Sequence, residues 1–418
     1  MLVRLVYTLI LALAAPLLLF GLYRSKANKP KFGARWKEHF GLTPKLNGQT
    51  RPLWIHAVSV GESIAAVPLI KAIKAQTPEQ RIVVTTTTST GAEQIAKLGN
   101  LVEHRYMPID FAFAVRGFLK AVNPAKMLII ETELWPNTLA TVHKANIPII
   151  VVNARLSEKS QQNYAKVQPL FNLIHPCLSK VLCQSQADAD RFAKLGVAAE
   201  KLCVTGSIKF DIHISDEIKH QGAELRTLLG QQRPVWIAAS THRGEDEQVL
   251  DAHRQVLETH QNALLILVPR HPERFDSVFE LCQAQGFETI RRTQQQDVTN
   301  STQVYLGDTM GEMLVLLGAA DVCFMGGSLI GDKVGGHNVL EPAALGVPVI
   351  IGPSFFNFKA IVEELNSEQA IEIVSDLTLS FKVLHIIKNE SFRNIVIEKS
   401  ETIIKKNQGS LIKTIERI

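Results

Sequence analysis

Short apolar runs rich in β-branched residues recur from Leu53 onward and alternate with longer stretches of helical period. Five come first: Leu53 to Val58, Arg81 to Thr87, Met127 to Glu131, Pro148 to Asn153 and Val181 to Gln184. After a polar, charge-rich stretch from Asp211 to Arg233 the pattern resumes with Val235 to Ser240, Ala263 to Pro269, Val304 to Leu306, Val322 to Met325 and Val347 to Ile351. Strands that are apolar along their whole length and separated by helices predict parallel sheets covered on both faces. The pattern therefore predicts two α/β domains. Ligands of such sheets bind beyond the carboxyl ends of the strands, which directs attention to the loops after each run. Residues 388–418 read as helical, rich in Lys and Glu, and either fold back on the first domain or cap the second.

Ahead of the first strand, Leu5 to Tyr23 is a run of 19 residues without a charge. At ~1.5 Å per residue it is long enough to cross a bilayer core of ~30 Å. Ala12-Leu13-Ala14 resembles a signal-peptide cleavage site, but the apolar run continues past it through Leu17-Leu18-Leu19-Phe20, so an uncleaved anchor is the better reading. Arg24, Lys26, Lys29, Lys31, Arg35 and Lys37 follow the run, against Arg4 before it. By the positive-inside rule the body then lies in the cytoplasm. The same basic stretch could rest on anionic headgroups, draw a phosphorylated lipid towards the site, or be a solvated linker.

Composition narrows the class. Of 418 residues 46% are hydrophobic and 20% charged, which excludes disordered and collagen-like chains. A net charge of +5 does not by itself imply nucleic acid. The five cysteines lack C-x-x-C spacing, so neither a disulfide framework nor a zinc ribbon is indicated. There is no H-E-x-x-H, G-x-S-x-G, G-x-G-x-x-G or P-loop motif. No metal is inferred.

Several strand ends carry chemistry. Glu62, in His56-Ala57-Val58-Ser59-Val60-Gly61-Glu62-Ser63, stands at a strand-to-helix turn, either as a proton acceptor or as a complement to the helix dipole. Glu131 and Glu133 close the third run, and Glu133 is expected to cap the helix from Pro136. Lys209 is a cation just before the interdomain stretch. In the second domain Ser240-Thr241-His242-Arg243-Gly244-Glu245 and Pro269-Arg270-His271-Pro272-Glu273-Arg274 follow successive strands. Asp308 to Glu312, Gly326-Gly327-Ser328 and Gly335-Gly336-His337-Asn338 with Glu341 add Gly-rich loops. The last of these would aim backbone N–H groups at an anion with helix-dipole support, and three such loops favour a nucleotide site.

Seven stretches in order carry a resemblance: His56 to Glu62, Glu131 to Asn137, Asn153 to Ser157, Gly206 to Asp211, Leu267 to Arg274, Gly307 to Glu312 and Gly335 to Pro342. Together they resemble the 3-deoxy-D-manno-octulosonic acid (Kdo) transferases of Gram-negative lipopolysaccharide synthesis. The resemblance implies a GT-B glycosyltransferase, two Rossmann-like domains facing a cleft, with a membrane anchor at 1–24. The acceptor domain would span 25–212, and the CMP-Kdo domain 213–418 with C-terminal helices. It implies transfer of Kdo from CMP-Kdo to lipid IV-A, with inversion and release of CMP. The setting would be the cytoplasmic side of the bacterial inner membrane, with membrane lipids as partners and no nucleic acid. The family's base falls on Glu62, and the residues assisting the transition state on Glu131 and Lys209. Contacts to CMP fall on Arg270, His271, Thr309, Met310, Gly311 with Glu312 adjoining, Gly335, Gly336, His337 and Asn338. Glu341 would hold the ribose by analogy with other GT-B enzymes. No metal and no cofactor besides the donor are expected. The alternatives are another GT-B enzyme, a UDP-sugar transferase or epimerase, and a non-catalytic membrane protein that binds nucleotide or lipid.

Overall fold

The computed structural model describes residues 2–24, 30–46, 48, 50–294 and 296–418. Lys26 and Lys29 of the basic stretch, and Gln295, lie outside the described residues. The chain divides into two compact units, 1–211 with 407–418, and 212–406.

The first unit is built on seven parallel strands, β1 (Leu53–His56), β2 (Ile82–Thr86), β3 (Glu103–Tyr106), β4 (Lys126–Ile130), β5 (Ile149–Ala154), β6 (Lys180–Cys183) and β7 (Leu202–Val204). Their order is β3-β2-β1-β4-β5-β6-β7. Alternate residues feed the two faces: Trp54, Met127, Ile129 and Val151 enter one core, Ile55, Leu128, Ile130 and Val152 the other. Both faces of the central strands are dry, so those strands read as unbroken apolar runs.

The second unit repeats the plan with β8 (Val235–Thr241), β9 (Leu264–Pro269), β10 (Thr289–Arg291), β11 (Val304–Leu306), β12 (Val322–Met325), β13 (Val349–Ile351) and β14 (Glu372–Ile373). All are parallel, in the order β10-β11-β9-β8-β12-β13-β14. Trp236, Leu265 and Phe324 are fully buried at its centre.

The expected boundary at 213–418 differs at its far end, because residues 407–418 belong to the first unit. The cause is local. The carboxylate of Asp211 accepts from the N–H groups of Gly409 and Leu411, each at 2.6 Å, and so ties down the helix Ser410–Ile415. Leu411, Ile415 and Ile418 then pack on the core around Ile55.

The apolar N-terminal segment forms the helix Leu2–Tyr23, 22 residues that meet the length and hydropathy of a membrane helix. The basic stretch after it is not simply a solvated linker. Gly33–Phe40 is a 3-10 helix in which Arg35 pairs with buried Glu38 at 2.8 Å, and Glu38 accepts from Tyr106 N at 2.7 Å.

Candidate active site

The strand order turns between β1 and β4 in the first unit and between β8 and β12 in the second, where the outer strands β10 and β11 are also exchanged. The helix after β1, Val60–Gln76, packs Ala66 and Leu69 on one face of the first sheet. The helix after β4, Pro136–Lys144, packs Leu139 and Val142 on the other. The two connections thus leave the sheet towards opposite faces, the arrangement that places a ligand crevice at the strand ends.

Glu62 lies at this crevice in the first turn of its helix, with 9% of its surface exposed. Ser59 caps the helix: its Oγ accepts from Glu62 N at 3.3 Å and donates to Glu62 Oε1 at 2.9 Å. Val58 N donates to Glu62 Oε2 at 2.7 Å. This is a reciprocal cap in which the amide one residue early fills the second half of the box. The capping and proton-accepting readings of Glu62 thus describe one arrangement. Burial pushes the carboxyl up to about 7 against the two hydrogen bonds, with help from the charges of Glu133 and Glu131. Such a group can both hold and release a proton near neutrality.

Glu131 follows β4 directly and has φ of +61°, a left-handed conformation that costs energy in a residue with a side chain. The strand has ended at Ile130, so strand alternation does not set the direction of the Glu131 and Glu133 side chains. Lys209 Nζ lies 3.2 Å from Glu131 Oε1. The Lys209 segment is held by Asn153, a fully buried left-handed residue whose Oδ1 accepts from Ile208 N at 3.2 Å. Glu133 is not the cap expected for the helix from Pro136: its Oε2 accepts from Trp135 Nε1 at 3.0 Å. The cap is Asp110, which accepts from the amides of Asn137 at 3.2 Å and Thr138 at 2.6 Å. Burial also raises the carboxyl of Glu133.

The second unit gathers a cationic and imidazole cluster. His337 Nε2 and His242 Nε2 are 2.8 Å apart. Their ring planes differ by 8° and the centroids are 5.1 Å apart, so the nitrogens lie between the rings in an edge-to-edge hydrogen bond rather than a face-to-face stack. His271 meets His242 edge-on at 5.2 Å. Arg270 is within electrostatic reach of all three histidines and of Glu341. Burial, then these neighbouring cations and rings, pushes His242 down to about 4 and His337 to about 3. His271 is lowered by burial first. Sequence reasoning quoted His242 without assigning it a role; nothing in the chain shows that it meets His337.

The other donor-site candidates fall into three places. Gly335 and Gly336 have φ of +84° and +74°, and a Cβ on Gly335 would strike the Phe356 ring. Asn338 donates to Glu341 Oε1 at 3.1 Å and accepts from Leu340 N at 3.1 Å, so these two side chains form one unit. Burial raises Glu341. The helix behind them, Leu340–Ala344, has five residues, and the dipole support expected of it is correspondingly small. In the third place, Thr309 to Glu312, both oxygens of Glu312 are taken by Arg292 at 2.8 and 3.0 Å, while Met310 is 62% exposed and Gly311 has φ of +88°.

One Gly-rich loop is already filled. Glu245, fully buried, accepts from the amides of His242, Gly327, Ser328 and Leu329 at 2.7 to 2.9 Å. The 326–328 loop, one of the three Gly-rich loops read as favouring a nucleotide site, is thus a nest for the protein's own carboxylate. Arg274 is likewise structural, bonding Asp246 and, at 2.9 Å, Thr241 O. Among the described residues no group of three or more His, Cys, Asp and Glu side chains is arranged to hold a metal ion.

Two parallel sheets of Rossmann type, each with its polar cluster at the strand-order reversal, define the GT-B class. The UDP-GlcNAc 2-epimerase of Neisseria meningitidis shares this fold with a TM-score of 0.55 over 87% of this chain and 100% of that one, at 13% identity. The family described as 3-Deoxy-D-manno-octulosonic-acid transferase (kdotransferase) matches residues 34–212. The chain is 38% identical to the 3-deoxy-D-manno-octulosonic acid transferase of Haemophilus influenzae, over 98% of this chain and 96% of that protein. It is 32% identical to that of Bordetella pertussis, over 99% and 98%. The chain belongs to the 3-deoxy-D-manno-octulosonic acid transferase family of glycosyltransferases.

Proposed function

We propose that this protein transfers Kdo from CMP-Kdo to lipid IV-A with inversion at the anomeric carbon, on the cytoplasmic face of the bacterial inner membrane. The observation that carries the reading is Glu62: a carboxyl buried at the strand-order reversal, which burial pushes up to about 7, beside the Glu131–Lys209 pair. As a carboxylate Glu62 takes the proton of the acceptor hydroxyl while that oxygen attacks the anomeric carbon, and CMP departs from the opposite face. Glu131 and Lys209 form the polar wall beside the base. In the second unit Arg270 supplies positive charge and, with the neutral imidazoles of His271 and His337, donors to the phosphate, the Gly335-Gly336 backbone leaves room for close approach, and Asn338 with Glu341 offers acceptors to the ribose. Thr309 to Gly311, with Glu312 adjoining, contribute the remaining contacts to CMP. The donor is a substrate, and the scheme uses no further cofactor and no metal.

The apolar helix Leu2–Tyr23 and the basic residues after it support the membrane setting. The test is incubation of the detergent-purified protein with lipid IV-A and freshly generated CMP-Kdo, with the lipid product weighed by mass spectrometry. A mass gain of one or more Kdo units supports the reading. Intact acceptor, with the donor shown to be present and CMP still bound, contradicts it.

A further inference from the structure

The helix Leu2–Tyr23 touches its own unit at both ends. In its first turns Arg4 Nε donates to Asn137 Oδ1 at 2.8 Å, Tyr7 OH donates to Asp110 Oδ2 at 2.7 Å, and Thr8 Oγ1 accepts from Asn137 Nδ2 at 3.0 Å. At its last residue Tyr23 OH lies 2.7 Å from His39 Nδ1. Between them a half-buried stripe runs through Arg4, Tyr7, Thr8, Leu11, Ala14 and Ala15, the spacing of one helix face. The rest of the circumference is bare and apolar, with Leu2, Leu5, Leu13, Leu17 and Phe20 between 59% and 84% exposed.

A helix that crosses a bilayer has its ends on opposite sides of ~30 Å of hydrocarbon, and the groups that bond its first turn would have to lie on the far side. Here the groups that bond the first turn and the last residue belong to one folded body, and Asp110, Asn137 and His39 are polar side chains that hydrocarbon does not accept. We infer that this helix does not cross the membrane but lies in its surface, the bare face inserted among the lipids and the polar stripe docked on the body. A cavity of about 820 Å³ opens beside its last turns, with Leu19, Leu22, Trp36 and Phe40 on its walls and Arg24 and Lys31 also lining it, as suits acyl chains under an anionic headgroup. Asp110, which receives Tyr7, also caps the helix that follows Glu131, so the docked helix adjoins the rim of the candidate active site. The placement in the membrane is independent of the donor and acceptor proposed above. A lateral supply of lipid acceptor to that rim rests on that reading.

The test uses the full-length chain in bacterial membranes, with the parent chain as the control for its own five cysteines. In a Leu2→Cys variant the new thiol should resist a membrane-impermeant maleimide applied to spheroplasts, and a Thr8→Cys/Asn137→Cys pair should cross-link in the membrane with a short bifunctional thiol reagent. Labelling of Leu2→Cys from the outer side without the cross-link overturns the inference in favour of a crossing helix. A Leu13→Asp/Leu17→Asp variant should lose at least about tenfold in binding to vesicles of phosphatidylethanolamine and phosphatidylglycerol while binding CMP as before. Unchanged vesicle binding in that variant also overturns the inference, because the bare face would then not be the inserted one. Loss of CMP binding by the parent chain would instead bear on the proposed function alone.

Discussion

Lys209 Nζ lies 3.2 Å from Glu131 Oε1, joining the loop after β7 to the loop after β4 across the sheet. Glu131 is also one of the charges that raise Glu62. The pair should therefore tune the base as well as line its surroundings. Removing the cation in Lys209→Met leaves Glu131 uncompensated, so the midpoint of the pH–rate profile should move up. Removing the anion in Glu131→Gln should move it down. Measured profiles that lose amplitude without moving would reduce the pair to a structural contact.

The pH dependence of the parent enzyme follows from Glu62 with a definite sign. In the proposed role Glu62 works as a carboxylate, so kcat/KM should rise with pH and level off above a midpoint at about 7. Stability should carry the opposite slope from this group. Between the usual carboxylate range and about 7 the folded chain holds a proton that the unfolded chain has released, so stability falls as pH rises through that window. Denaturation of Glu62→Gln at several pH values should lack this contribution; a slope equal to that of the parent would count against the raised carboxyl.

The His242–His337 pair predicts a proton linked to nucleotide binding. Two imidazoles joined Nε2 to Nε2 share one proton, and can accept one more without breaking that bond. His271, Arg270 and Arg274 oppose the extra proton in the free protein. A phosphate beside them offsets that opposition, so CMP should bind more tightly as pH falls from about 7 towards about 5, with proton uptake. Calorimetry in buffers of different ionisation enthalpy measures the uptake. It should shrink in His242→Asn and in His337→Asn, and equal uptake in parent and variants would remove the pair from the account.

Glu245 predicts the largest effect on stability. Its carboxylate is the acceptor for four amides, those of His242, Gly327, Ser328 and Leu329. Truncation in Glu245→Ala strands these donors, of which the amides of Gly327 and Ser328 are buried, at a cost of about 3 kcal/mol or more. Urea denaturation should show the loss. A change within about 0.5 kcal/mol would mean that the loop finds other partners.

The interior of both sheets was legible in the sequence because strands buried on two faces are apolar throughout, and each of the ten expected runs overlaps a strand of the structure. The four strands that pattern missed are β3, β7, β10 and β14, the two edges of each sheet. Glu103-His104-Arg105-Tyr106 is polar because an edge strand is open to water on one side, and β7, β10 and β14 have three residues or fewer. The site was legible where its residues are close in sequence, as with Ser59 and Glu62. It was not legible where partners are distant. Nothing near Glu245 shows that it fills the Gly326-Gly327 loop, nothing near Asp110 that it caps a helix starting at Pro136, and nothing near Asp211 that it fastens the helix from Ser410.

Glu62→Gln tests the central claim most directly, because the amide keeps the shape of the side chain and removes its ability to take a proton. The account predicts that turnover of CMP-Kdo with lipid IV-A falls by roughly 10²- to 10⁴-fold while the Kd for CMP stays within about twofold of the parent. Turnover at the parent rate, or a loss of CMP binding that matches the loss of rate, would contradict Glu62 as the base.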